Sequence, residues 1–160
     1  MPLITLGLSG SLNHDPSAAL FIDGKLAAAV EEERFLRDKH AKGVMPVKST
    51  RFCLEYCGIS PEQIDIVAIP FAEIGLGSAA RWHFARRYWY APDRALDALF
   101  NGNRRYRRFV RRIRAMCEDL GIRWDRTQFV PVEHHLAHAS SAYHLSGFKE
   151  KTAIMGIDGK

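Results

Sequence analysis

Cysteine is scarce in this chain of 160 residues. Cys53, Cys57 and Cys117 form no Cys-x-x-Cys pair and leave one thiol unmatched. That excludes a disulfide-built scaffold and a cysteine-based zinc module. Cys53 and Cys57 would share a helix face, so buried thiols in a reducing cytoplasm are expected. Long apolar runs are also missing. No stretch approaches the roughly 20 residues that span a bilayer, so no membrane partner is expected. The opening Met1-Pro2-Leu3-Ile4-Thr5-Leu6-Gly7 lacks the basic region of a secretion signal and reads directly as a strand. There is no internal repeat, no low-complexity linker, and no His-Glu-x-x-His, so zinc proteolysis of that type is disfavoured.

What is present suffices for one domain with a sizeable core: 47% of the residues are hydrophobic. Three strands open the chain, Ile4 to Ser9, Ser17 to Ile22 and Lys25 to Val30, the last two joined by the hairpin signal Asp23-Gly24. Pro46 suits the first turn of a helix that runs to Cys57 and stops at Gly58. Ile64 to Pro70 reads as a buried strand. From about Ser78 to Leu120 the pattern is helical, with breaks near Ala91-Pro92 and Asn101-Gly102-Asn103 and a stop at Gly121. A strand at Gln128 to Val132, a histidine-bearing helix and a strand at Thr152 to Ile157 complete the order. This succession predicts a mixed α/β sheet with helices on its faces. Lys160 directly follows Asp158-Gly159 and what reads as a core strand, so the chain is expected to be the first part of a longer protein.

Charge is unevenly placed. Residues 81 to 114 hold eleven arginines, no lysine and two acids, a local +9 in a chain of net +5. Trp82, Phe84, Tyr88, Trp89, Tyr90, Phe100, Tyr106 and Phe109 interleave with them. Arginine with aromatics suits phosphate contact and base stacking. The same composition suits a helical insertion whose aromatics pack inward beneath solvated guanidinium groups. No helix-turn-helix, zinc-finger or RNP signature supports nucleic acid, which is therefore the less favoured partner.

The sharpest chemical signal is His134-His135-Leu136-Ala137-His138. Positions i and i+4 share one face of a helix, so His134 and His138 can aim two imidazoles at one metal ion. The competing reading is an exposed or packed pair with no ligand. Asp158, at the end of an apolar run, could supply a third ligand. Ligand type alone does not choose among iron, zinc and manganese.

The three-strand start with its polar first loop resembles the ribonuclease-H-like half of the superfamily that holds actin, the sugar kinases and the heat-shock ATPases. That resemblance implies a mixed sheet with flanking helices, incomplete in this chain. It also implies a first loop that approaches nucleotide phosphate, here Ser9, Gly10 and Ser11, with Asp158-Gly159 as a further cofactor contact. The usual loop carries an acidic residue and Gly-Thr. Ser9-Gly10-Ser11 followed by His14-Asp15 departs from it, which disfavours an ordinary sugar kinase or actin-like ATPase.

A narrower resemblance rests on separated blocks in order. These are Leu8-Ser9 through His14-Asp15-Pro16-Ser17-Ala18-Ala19, then Glu31-Glu32-Glu33-Arg34-Phe35 and Lys39-His40. His134-His135-Leu136-Ala137-His138-Ala139 and Asp158-Gly159 follow. Together they resemble the N-terminal part of the O-carbamoyltransferase family, which includes nodulation protein U and antibiotic carbamoyltransferases. The resemblance implies transfer of a carbamoyl group from carbamoyl phosphate, through carbamoyl adenylate made with ATP, to a hydroxyl of a small acceptor. It implies His134, His138 and Asp158 as ligands of a divalent metal, with Fe2+ the family-like ion and a further Asp beyond Lys160. It places the adenylate-forming domain in a C-terminal part that this chain lacks, so the fragment alone is expected to be inactive. His14 and Lys39 are the candidates for stabilising charge on the transferred group; a turn hydrogen bond for His14 and simple solvation for Lys39 remain open. Glu32 and Arg34 read as structural or surface charges, and His135 as a supporting or packing residue. The alternatives are a threonylcarbamoyl-transfer metalloprotein acting on tRNA and a basic RNA-binding module.

Overall fold

A computed structural model describes residues 1–10, 15–75, 78–101, 103–148 and 150–156. Strand β1 (Ile4–Ser9) alternates strictly, with Ile4, Leu6 and Leu8 buried and Thr5, Gly7 and Ser9 half-buried on the other face. It pairs antiparallel with β2 (Ser17–Ile22), which pairs antiparallel with β3 (Lys25–Glu31). Asp23 and Gly24 both take positive φ, 50° and 74°, as a tight two-residue hairpin of this hand requires. Leu3 N donates to Asp23 Oδ1 at 2.8 Å, which ties the turn to the start of the chain.

After β3 come the short helix α1 (Glu33–Leu36) and α2 (Val47–Cys57). Gly58 ends α2 at φ 64°, its N–H reaching back to the Glu55 carbonyl. Strand β4 (Ile66–Ile69) runs parallel to β1, and β5 (Gln128–Pro131) runs parallel to β4. Between these two strands lie α3 (Ala79–Arg87), α4 (Pro92–Asn101) and α5 (Arg104–Asp119). Helix α6 (His134–Leu145) follows β5. The sheet order is β3-β2-β1-β4-β5, with three antiparallel strands leading into two parallel crossovers. This is the ribonuclease-H-like arrangement expected from the sequence.

One face of the sheet holds the core. Leu6, Leu20, Val67 and Ile69 pack there with Cys53 and Leu54 of α2 and with Phe109, Ile113, Met116 and Cys117 of α5. Burying a side chain the size of Phe109 contributes about 2–3 kcal/mol. The two readings of the arginine-rich segment therefore divide along it. In α5 the aromatics and aliphatics face inward and the arginines outward. Helices α3 and α4 pack on each other and leave Trp89, Tyr90 and Phe100 exposed. Arg81 is buried at their base, donating to the carbonyls of Leu99 (2.7 Å) and Ile74 (2.6 Å).

The final strand does not form. Residues 151–156 have no regular structure, and Ile154 and Met155 are exposed, Met155 at 85%. Residue 157 lies outside the described residues. A strand needs a partner for its backbone groups, and among the described residues β5 pairs with β4 alone. Apolar content without a neighbouring strand is not sufficient. Among the described residues no helix is long and apolar enough to cross a membrane.

Candidate metal centre and the groove beside it

Helix α6 begins just after β5, and its first five residues carry His134, His135 and His138. Glu133 is the N-cap, its carboxylate accepting from Leu136 N at 2.8 Å. That bond, the His135 N–H and the His135 ring together hold the Glu133 carboxyl down at about 2. His135 is thereby turned toward Glu133, with Nδ1 and Oε1 3.1 Å apart, a supporting contact.

His134 and His138 meet on one face of the helix. Their Nε2 atoms are 3.2 Å apart and their ring centroids 4.5 Å apart. Two imidazoles bound at roughly 2.1 Å with an angle between 90° and tetrahedral would place their nitrogens about 3.0–3.4 Å apart. The observed separation falls inside that window. The orientation of His134 is fixed from outside the helix. Its Nδ1–H donates to the Pro70 carbonyl at 3.2 Å, and its ring stacks on Phe71 at 5.0 Å and 11°. Phe71 in turn meets Phe109 of α5 edge-on at 5.7 Å. A carbonyl on Nδ1 leaves the Nε2 lone pair for a ligand, the usual support for a metal-binding imidazole. The donor pair therefore fits a divalent transition metal. Asp158 and Gly159 lie outside the described residues.

Alongside the pair, α6 and the second face of the sheet enclose a groove of about 720 Å³. Gly7, Ser9, Ser17, Ala68, Ala137 and Ser140 are among its lining residues, so small side chains keep it open. Ser9 closes β1 opposite Ser17. At Gly10, φ is 110° and a Cβ would lie 2.3 Å from Pro16 Cα, so only glycine permits this loop closure. Ser11 and His14 lie outside the described residues. Lys39 is exposed on the loop after α1 and does not line the groove.

A second cluster was not foreseen from the sequence. Asp15, Glu33 and His40 place one ligand-type atom each within 4.8 Å of one another. His40 Nδ1 and Asp15 Oδ1 are 2.8 Å apart, and His40 N donates to Glu33 Oε2 at 3.0 Å. The blocks His14-Asp15 and Lys39-His40 were visible in the sequence, but their meeting across 25 residues was not. Glu32, read as structural, is buried and caps α2 through Lys48 N and Ser49 N.

Fold and site define a ribonuclease-H-like α/β domain that presents paired imidazoles at the head of a helix. The chain belongs to the family described as carbamoyltransferase N-terminus, which it matches over residues 4–160. It is 34% identical to nodulation protein NolNO of Sinorhizobium fredii (strain NBRC 101917 / NGR234), over 98% of this chain and 23% of that protein. It is 33% identical to the uncharacterized protein sll1178 of Synechocystis sp. (strain ATCC 27184 / PCC 6803 / Kazusa), over 96% of this chain and 25% of that one. The chain thus spans about a quarter of the length of these relatives. Among solved structures, YeaZ from Pseudomonas aeruginosa is similar at a TM-score of 0.44 and 14% identity, covering 91% of this chain and 50% of that one.

Proposed function

We propose that residues 1–160 are the N-terminal part of the metal-binding domain of an O-carbamoyltransferase. In this reading carbamoyl phosphate loses its phosphate to water, and the resulting carbamate oxygen displaces pyrophosphate from ATP to give carbamoyl adenylate. The hydroxyl of a small acceptor then attacks the carbamoyl carbon, releasing AMP and a proton. Family membership supports carbamoyl transfer. The observation that carries the site is the His134–His138 pair, 3.2 Å apart with His134 oriented by the Pro70 carbonyl.

His134 and His138, with Asp158, would hold a divalent ion, Fe2+ being the family-like choice. When bound, the ion supplies Lewis-acid polarisation of an oxygen on the transferred group. Ser9, Gly10 and Ser11 form the loop that approaches phosphate, with Gly159 a further contact. His14 and Lys39 offset negative charge on the donor. The protein acts in the cytoplasm and needs its C-terminal part for activity.

The test is ATP consumption by the intact protein with and without carbamoyl phosphate, separating AMP from ADP. AMP and pyrophosphate that depend on carbamoyl phosphate are expected; ADP instead would sink the reading. A basic RNA-binding role is the reading that the exposed Arg104, Arg105 and Arg108 favour. It would take over if RNA binding fell steeply with salt and were untouched by His134→Ala.

A further inference from the structure

The crossover from β4 to β5 contains more chain than the sheet uses. Helix α5 covers the sheet, and among the described residues no member of the core comes from α3 or α4. The pair is nevertheless firmly built. Arg81 near the start of α3 meets the Leu99 carbonyl near the end of α4, so the two helices run antiparallel. Below them, buried Asn103 donates to the Ile74 carbonyl at 2.9 Å and to Glu73 Oε1 at 3.0 Å, and accepts from Ile74 N at 3.1 Å. What this hairpin turns outward is apolar: Trp82 is 59% exposed, Leu96 55% and Phe100 72%. Their phases agree. Buried Arg81 and Ala85 form the inward stripe of α3, and half-buried Ala95 and Leu99 that of α4. Trp82 and Arg86 each follow an inward residue by one position, as do Leu96 and Phe100. In two antiparallel helices that face each other, an equal offset turns to the same side, so all four residues share one side of the hairpin. Asp93 and Asp97 precede Leu96 and Phe100 by three positions, which sets a carboxylate beside each apolar side chain.

We infer that this side of the α3–α4 hairpin is an interface between two copies of the chain. Exposed Trp, Phe and Leu side by side on a rigid element mark a protein contact. The charges decide which protein. Antiparallel pairing sets Arg86 level with Asp93 beside the connecting turn, and Trp82 level with the Leu96–Phe100 turn nearer the base. A two-fold axis parallel to the helices lays α3 of one copy on α4 of the other. Each Arg86 guanidinium then faces an Asp93 carboxylate, each Trp82 faces Leu96 and Phe100, and symmetry repeats both contacts. Composition agrees. Residues 81 to 114 hold eleven arginines and no lysine or glutamate, and protein interfaces are enriched in arginine and aromatics and depleted in lysine and glutamate. Carboxylates along the contact disfavour nucleic acid at this face. The helices have only 9 and 10 residues, so the contact is small and the association reversible. The inference depends neither on carbamoyl transfer nor on the metal.

Sedimentation velocity of the intact protein, with and without nuclease treatment, tests this over roughly 1 to 200 µM, where a contact of this size dissociates. Wild type should double its mass reversibly across that range, nuclease-treated or not. Arg86→Asp sets two carboxylates against each other and Asp93→Arg two guanidinium groups, so each variant alone should associate about tenfold more weakly or worse. Both side chains are exposed, so both variants should melt near wild type. Phe100→Ser should weaken association without changing any charge. An equal mixture of the Arg86→Asp and Asp93→Arg proteins is the decisive arm. In the mixed pair each contact again joins opposite charges, so association should return to wild-type strength. A mixture that stays apart would overturn the proposal, as would a wild type that stays single at the highest concentration. Mass doubling untouched by the single variants would place the contact on another surface and end the idea. Association that disappears with nuclease would end it too, and would give the arginines to nucleic acid.

Discussion

At 1% exposure, the Glu32 carboxylate accepts from Lys48 N at 3.0 Å and from Ser49 N and Ser49 Oγ at 2.8 Å each. Pro46 stands at the N-cap of α2 and has no side-chain acceptor, so Glu32 satisfies from a distance what a Ser or Asp cap would satisfy locally. Removing it strands buried donors, so Glu32→Ala should cost about 3 kcal/mol, while Glu32→Gln, which keeps one acceptor, should cost roughly half of that. Urea unfolding reads both; an Ala variant as stable as wild type would refute the capping role. Glu133 is a cap of the local kind and gives a pH prediction. Its carboxyl lies at about 2, below the ordinary 4.5, so the unfolded chain binds the proton first as pH falls. The stabilisation is complete above about 4.5 and is lost progressively toward 2. Protection of the Leu136 amide should decline over that window, and Glu133→Gln should remove the pH dependence. The Glu133 cap is local to the histidine run yet was not anticipated, while the partners of Glu32 and the pairing of Asp15 with His40 depend on tertiary closure. Nothing within a few residues of either announces them.

Elements were legible wherever their ends are written in the chain. Asp23-Gly24 forced the hairpin, Gly58 and Gly121 stopped their helices, and Pro92 opened α4 within the long helical stretch, because positive φ and a missing N–H act on nearest neighbours. The segment 151–156 was misread for the converse reason: its apolar pattern is local, but strand formation depends on a neighbour. Helix α5 shows composition and packing acting on opposite sides of one cylinder. Phe109, Ile113 and Met116 are buried, while Arg104, Arg105 and Arg108 are exposed and have no acidic partner among the described residues. Arg107 meets Glu73 and Arg114 meets Glu118, both at 2.9 Å. Arg104, Arg108 and Arg112 stand at successive i, i+4 positions and repel. Arg108→Glu converts two repulsions into attractions and should stabilise the protein by about 1 kcal/mol at low salt. The gain should shrink at roughly 0.5 M salt, where charges more than a few ångströms apart are screened. Melting curves at the two salt concentrations check this, and a gain independent of salt would show that packing, not charge, is responsible.

The whole domain is asymmetric across its sheet, and this decides where chemistry and stability reside. The face covered by α2 and α5 is a dry core. The other face, under α6, carries the groove, where glycine, serine and alanine lie among larger apolar residues, and the imidazole pair sits at the solvent-accessible head of α6, outside the groove's lining. Substitution at His134 or His138 should therefore leave the fold intact while removing the candidate ligands. His134→Ala and His138→Ala are each expected to lower bound transition metal in the intact protein to near background. Elemental analysis measures this, with unfolding midpoints near wild type as the control. The core face can be interrogated through its thiols. Cys53 and Cys117 are both fully buried, whereas Cys57 is only half-buried. Burial, with a smaller push from Cys57, raises the Cys53 thiol to about 11; burial, with Glu118 nearby, raises Cys117 to about 12. At pH 8 their thiolate fractions are on the order of one in a thousand and one in ten thousand, so reaction must await opening of the core. Cys53 lies under β2, its Sγ 3.6 Å from the Ala18 carbonyl, while Cys117 lies on α5. The two thiols thus report on the two helices that cover the sheet. Pulsed alkylation read by mass spectrometry should label Cys57 first, then Cys53 and Cys117 together as the core unfolds in one step. Labelling of Cys117 well ahead of Cys53 would mean that the arginine-rich helix detaches by itself, with the sheet and α2 forming the more stable unit.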